Sequence, residues 1–242
     1  MPNRAILSRN RFAWRLVSAF MLALLGGCAT QTWHTDADPL PNLEGTPVVL
    51  LMTPDVQLSQ VTAGGLNEPH AEWTVAGLGN VGQAVADAMR SRDAAVVPYA
   101  EPIDEPDRME SELQLVKLHR AVGTSILIHK YMGLALPTKT NIFDWSMGPD
   151  VQQLGEAYKA DYALFVYLRD SYVTPGRVAV IVAMAALGVG MPGGVQAGYA
   201  SLIDLRTGEV LWFNRLVRGT GDLRTPGPAH EAVQALLDGF PL

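Results

Sequence analysis

The hexapeptide Gly77-Leu78-Gly79-Asn80-Val81-Gly82 has the spacing GxGxxG, and Glu101 stands nineteen residues beyond its last glycine. In a dinucleotide-binding loop such glycines admit a pyrophosphate to a helix N-terminus, and a carboxylate near that position accepts the ribose hydroxyl. Gly77, Gly79, Gly82 and Glu101 are therefore the cofactor-binding set of one reading of the chain, a dinucleotide-binding protein. Its first strand would be Glu72-Trp73-Thr74-Val75-Ala76, which is short and polar for a buried position in that fold. The competing reading places the glycines in a loop and a first helical turn, with no cofactor. Other chemistry has weaker anchors. His34, His70, His119, His129 and His230 form no HExxH, and no two are three or four residues apart. Glu68-Pro69-His70-Ala71-Glu72 sets two acids beside an imidazole, a common occurrence in an acidic chain. Ser125 and Ser146 lie outside any GxSxG elbow. We assign no catalytic, metal-binding or cofactor-binding residue and expect a protein that is not an enzyme.

The single cysteine, Cys28, excludes an internal disulfide and a CxxC site. Its surroundings give it a different chemistry. Arg4, Arg9, Arg11 and Arg15 precede an uncharged run from Leu16 to Leu25. About ten residues are too few to span a bilayer as a helix, and they fit the apolar region of a secretory signal peptide. Leu25-Gly26-Gly27-Cys28 then resembles the lipobox of bacterial lipoproteins. The resemblance implies cleavage before Cys28, which becomes the acylated N-terminus and is no longer a free nucleophile. Ala29 in place of Asp implies sorting to the outer membrane, with the remainder facing the periplasm. Arg9-Asn10-Arg11 lacks the adjacent arginines of a route that exports folded, cofactor-loaded proteins.

The chain has 242 residues, 48% of them hydrophobic and 17% charged, enough apolar material for a substantial core. Without the first 27 residues, 14 basic side chains face 24 acids, a net charge of −10 that disfavours nucleic acid as a partner. Residues 1–27 read as signal peptide, 28–46 as lipidated N-terminus and linker, and 47–242 as one α/β domain. Within it, Pro47 to Met52, Ala94 to Tyr99 and Tyr162 to Leu168 predict strands, the last apolar at every position and therefore covered on both faces. Helical spacing predicts helices over 78–92, 107–129 with a break at Gly123, 151–159 and 229–237. Gln196 to Ile203 and Glu209 to Val217, joined by Asp204-Leu205-Arg206-Thr207-Gly208, predict an antiparallel hairpin. The whole is an α/β sandwich with a mixed sheet and a C-terminal antiparallel hairpin.

Val178 to Met191 holds fourteen residues without a polar side chain, bounded by Arg177 and by Pro192-Gly193-Gly194. Its length favours a buried core helix. The alternative is docking into a partner subunit or a membrane, which makes it the candidate interaction surface. Residues 131–149, rich in Gly and Pro, read as a surface loop whose Trp145 caps the core.

Ala160-Asp161 opening the central strand, and Asp204, Thr207, Gly208 and Trp212 in the pattern DxxTGxxxW, resemble the curli-export and TolB N-terminal-like group of periplasmic lipoproteins over residues 47–217. That group contains secretion pores and lipoproteins that activate or assemble envelope machinery, so the resemblance implies docking or assembly. The alternating membrane hairpins of the pore-forming members are missing here. The expectation is a non-enzymatic outer-membrane lipoprotein, tethered through Cys28, that meets an envelope protein or a second copy through residues 178–191. A subunit of a secretion-type oligomer is an alternative.

Overall fold

The computed structural model describes residues 31–34, 40, 45–92, 94–134, 136–139 and 143–242. The signal peptide and Cys28 lie outside these. In chain order the elements are β1 (Gln31–His34), β2 (Val48–Leu51), β3 (Asp55–Val61), β4 (Asn67–Pro69), α1 (Ala71–Arg90), β5 (Ala95–Pro98), α2 (Pro106–Ile126), α3 (Gln152–Tyr158), β6 (Tyr162–Val173), α4 (Pro175–Ala186), β7 (Gln196–Asp204), β8 (Val210–Arg218) and α5 (Pro226–Leu236). A π turn, Leu127–Tyr131, and two short 3-10 turns, Pro137–Lys139 and Pro149–Val151, complete them.

The strands form one mixed sheet in the order β1-β8-β7-β6-β2-β5, with β3 and β4 off this path. β6 is its axis. Antiparallel β7 runs along one edge of it, and β2 followed by β3 run parallel along the other. The side chains of β6 alternate as a pleated strand requires. Tyr162, Leu164, Val166 and Leu168 enter a core with α1 and α5, while Ala163 and Phe165 enter a second core with α2 and α3. A central strand covered on both faces is thus what its unbroken apolar run encodes.

Asp161 fixes the start of that strand. Its Oδ2 accepts the Val48 N–H at 2.9 Å, its N–H donates to Val48 O, and its carbonyl accepts from Leu205. Asp204 likewise closes the β7–β8 hairpin, accepting the Arg206 N–H at 2.8 Å, and Thr207 Oγ1 accepts the Glu209 N–H at 3.2 Å. Gly208 has φ +80°, and a Cβ there would lie 2.1 Å from the Gly148 carbonyl. The loop before α3 is therefore a strap over the hairpin turn, held by Met147 N–H to Gly208 O and Val210 N–H to Trp145 O, with Trp145 packed on the second core. Trp212 is fully buried. The matched motif residues hold the fold together.

Three expectations are corrected. The first concerns Gly77 to Gly82, which lie inside α1, because that helix starts seven residues earlier than its spacing predicts. His70 caps it, accepting the Trp73 N–H and stacking on the Trp73 ring at 3.9 Å. Gly77 serves close packing, since a Cβ there would come 2.8 Å from Leu58 Cδ1, whereas Gly79 and Gly82 face open space. Gly79→Ala is accordingly expected to raise stability by about 0.5–1 kcal/mol in a denaturant titration, the helix-propensity difference.

The second concerns Gly123, which does not break α2, as the helix runs through it to Ile126. The residue is small because Tyr199 occupies the space a side chain would take.

The third concerns Val178 to Met191. It is a helix in its first half, but not a core helix: Arg177 is the only buried residue of α4. Finally, Gln31–His34, within the segment read as linker, pairs antiparallel with β8.

Candidate interaction site at one pole of the sheet

The strand registers place the C-terminal ends of β3, β6 and β8 and the N-terminal ends of β1 and β7 at one pole: Gln31 faces Val217, Val217 faces Ala197, Ala197 faces Arg169, and Val61 faces Val173. Antiparallel neighbours such as β6 and β7 can be joined by a two-residue turn. Here the connection runs from Thr174 to Val195 and contains α4. Thr174 Oγ1 caps the helix by accepting the Arg177 N–H at 3.1 Å, Pro175 occupies the first turn, and Gly188 with φ +78° follows the C-cap. Arg177 turns inward, donating to Pro192 O and lying against Gly65. Val180, Ile181 and Met184 are half-buried. The outer side is apolar and exposed, with Val182 at 64% and Leu187 at 76%, and Val178, Val189, Val195 and Leu66 join them. A helix apolar all round is normally covered. Among the described residues this one is not.

Beneath the excursion lies a buried polar network. Asp170 accepts from Gln196 Nε2 at 2.7 Å, from the Tyr172 hydroxyl and from the Leu223 N–H at 3.3 Å. Arg218 Nε donates to Gln196 Oε1 and its Nη2 to Pro228 O at 3.2 Å. Burial pushes the Asp170 carboxyl above its ordinary range, offset in part by these donors. Burial and the facing Asp170 also hold the Tyr172 hydroxyl well above the usual phenol range. Arg224 lies over the Tyr172 ring at 3.9 Å and the Trp73 ring at 4.7 Å, and bridges to Asp222 at 2.8 Å. A cavity of about 290 Å³ opens between Asp170, Gln196, Gly221 and Arg224. The network's hydrogen bonds lock three strands together. The bonds that tie β6 to β7, β7 to β8 and Leu223 to Asp170 span 26, 22 and 53 positions, and no local motif announces them.

The residues of the dinucleotide reading are not brought together as that reading needs. Gly77, Gly79 and Gly82 sit in the second to fourth turns of α1, whose N–H groups are bonded within the helix, and the free N-terminus is at Ala71. Glu72 to Ala76, the strand that reading requires, is the first part of the same helix. Glu101 lies in the loop after β5, beside a second cleft of about 290 Å³ with Tyr99, Met52 and Arg120. There Asp55 receives Arg120 at 2.6 Å and Arg169 at 2.7 Å, which neutralises it.

The histidines are dispersed. Among the described residues no three of His, Cys, Asp and Glu gather to hold a metal ion. His129 Nδ1 bonds Leu134 O at 2.7 Å, Glu68 and Glu72 are exposed, and His70 is the α1 cap. His119 is buried on α2, sharing a 2.7 Å hydrogen bond with Ser201 and stacking on Phe165 at 4.6 Å. Burial drives it down to about 3, against a weaker upward pull from Asp55. The unfolded chain therefore binds the extra proton first. This group's contribution to stability is full above pH 6.5 and is lost progressively as pH falls towards 3, by up to about 1.4 kcal/mol per pH unit. Thermal unfolding between pH 6.5 and 5 should show a slope that His119→Gln flattens.

No family model matches the chain, and no curated protein matches it significantly. Among the described residues no helix is long and apolar enough to cross a membrane. Similar solved structures include the PelC dodecamer from Paraburkholderia phytofirmans, 11% identical over 86% of this chain and 95% of that one, with a TM-score of 0.40. A single-residue variant of the same dodecamer is 14% identical over 88% and 98%, with a TM-score of 0.38. The LpoB C-terminal domain from Salmonella enterica is 14% identical over 70% and 80%, with a TM-score of 0.26.

Proposed function

We propose that this chain is a non-enzymatic lipoprotein of the outer membrane, facing the periplasm, which attaches an envelope complex to the membrane or helps assemble it. The observation that carries the reading is the exposed apolar excursion around α4, in which Val182 and Leu187 stand open at the pole of the sheet. Such a surface suits attachment, to the membrane itself or to a protein. The lipobox at Cys28 supplies the tether and Ala29 the sorting signal. Gly77 to Gly82, the glycine spacing on which the dinucleotide reading rests, lies within α1, whose N–H groups there are bonded inside the helix.

The test is capture of the natively processed protein from crosslinked envelopes, compared with Ala29→Asp, which redirects it to the inner membrane. One envelope complex recovered with the wild type and lost with the equally folded variant is the expected result. Recovery of the chain alone from both would overturn the reading.

A further inference from the structure

We propose that the α4 excursion seats on the lipid surface itself, lying flat in the same leaflet as the acylated N-terminus and fixing the orientation of the domain. The proposal deepens the attachment reading and rests on Cys28 being lipidated.

The length of chain between the lipid site and the sheet carries the argument. Cys28 is three residues before Gln31, the first residue of β1, so the two Cα atoms are at most about 11 Å apart. Gln31 is at the pole from which α4 projects, because its partner Val217 faces Ala197, which faces Arg169. Strands about 4.8 Å apart put β6 and β7 within about 15 Å of β1. A diacylated residue 28 at headgroup level therefore holds this pole, and not the opposite one, within about a helix diameter of the bilayer.

What the pole presents fits that neighbour. Val178, Val182, Leu187, Val189, Val195 and Leu66 are exposed there. Between Asp170 and Asp204 the only charged side chain is Arg177, which is buried and turned away. The excursion from Val178 to Met191 offers no Trp, Tyr or Arg anchor and no side-chain hydrogen-bond donor, which a specific protein interface ordinarily supplies. At twelve residues α4 is about 18 Å long, too short to span the bilayer, so only its exposed apolar side enters the acyl region. The acyl chains hold the protein to the membrane, while the helix adds a second, rigid contact that stops it from swinging. The β7–β8 turn, a nine-residue strand away, is then carried about 27 Å further into the periplasm.

The test uses the natively lipidated full chain in vesicles of phosphatidylethanolamine and phosphatidylglycerol. Acylation removes the only native thiol, so a nitroxide can be placed at Val182→Cys, 64% exposed, and in a separate sample at Thr207→Cys in the hairpin turn. Collision rates with oxygen, which concentrates in lipid, and with a soluble nickel chelate are compared. The expected result is an oxygen-to-nickel ratio several-fold higher at position 182 than at 207. Equal ratios would place Val182 in water and overturn the proposal. Shielding from both reagents would place it against protein, a second copy or a partner, and overturn it as well. The mass of the N-terminal peptide from the same sample separates the causes: an acylated Cys28 with a wet position 182 sinks the seating alone, whereas an unacylated Cys28 sinks the tether with it.

Discussion

Replacing Gly123 by alanine is expected to lower the folding free energy by about 2–3 kcal/mol, measured as a drop in the urea midpoint at unchanged slope. A Cβ at this position would stand 2.2 Å from Cε2 and 2.4 Å from Cζ of the Tyr199 ring. The ring has nowhere to go. It is fully buried, stacked between Tyr167 at 4.8 Å and Phe213 at 5.3 Å, and its hydroxyl donates to Arg120 O at 3.1 Å. Accommodating one methyl means either displacing α2 from β7 or breaking that bond, and the gain of about 1 kcal/mol in helix propensity offsets only part of the loss. Gly79→Ala shares the propensity gain without the clash, so the two substitutions should move stability in opposite directions. A neutral Gly123→Ala would mean that α2 does not lie against Tyr199 as described.

The second large effect is expected at Asp170. Asp170→Ala removes the acceptor for Gln196 Nε2 and the Tyr172 hydroxyl at once, while the Leu223 N–H keeps its 2.9 Å bond to the Tyr172 oxygen. Stranded buried donors cost about 1–3 kcal/mol each, while removing a desolvated carboxylate returns part of that, for a net loss of about 3 kcal/mol. Asp170→Asn keeps an oxygen that can accept from Gln196 and should lose about 1–2 kcal/mol. Because the network ties β6, β7 and β8 at the base of the α4 excursion, amide exchange at Ala197 and Val217 should rise in Asp170→Ala more than at Ile203, at the far end. Uniform loosening of the sheet would contradict the role assigned to the network.

How far these features could be read from residues alone depends on the distance over which each is decided. The central strand was legible because seven successive apolar residues need cover on both faces, a local statement that Tyr162 to Leu168 satisfies. The hairpin was legible because Asp204 accepts the Arg206 and Gly208 N–H groups within a few positions of itself. Gly77 to Gly82 misled because GxGxxG is a spacing of glycines, and a helix interior can satisfy it; what places Gly77 there is its contact with Leu58, nineteen residues away. Gly123 was misread for the same reason, its cause lying 76 residues along the chain in Tyr199. The Asp170 network has no local signature at all. For Val178 to Met191 the helix could be recognised, and its exposure could not, since an apolar helix is equally suited to its own core, to another protein and to lipid. Register decided the direction it faces.

The most direct test of the central claim, a domain fixed to the outer membrane through Cys28, is the mass of the N-terminal peptide of the mature protein extracted from envelopes. The account predicts a peptide that begins at Cys28 and carries acyl chains. A chain beginning at Met1, or one cleaved elsewhere with an unmodified cysteine, would contradict it.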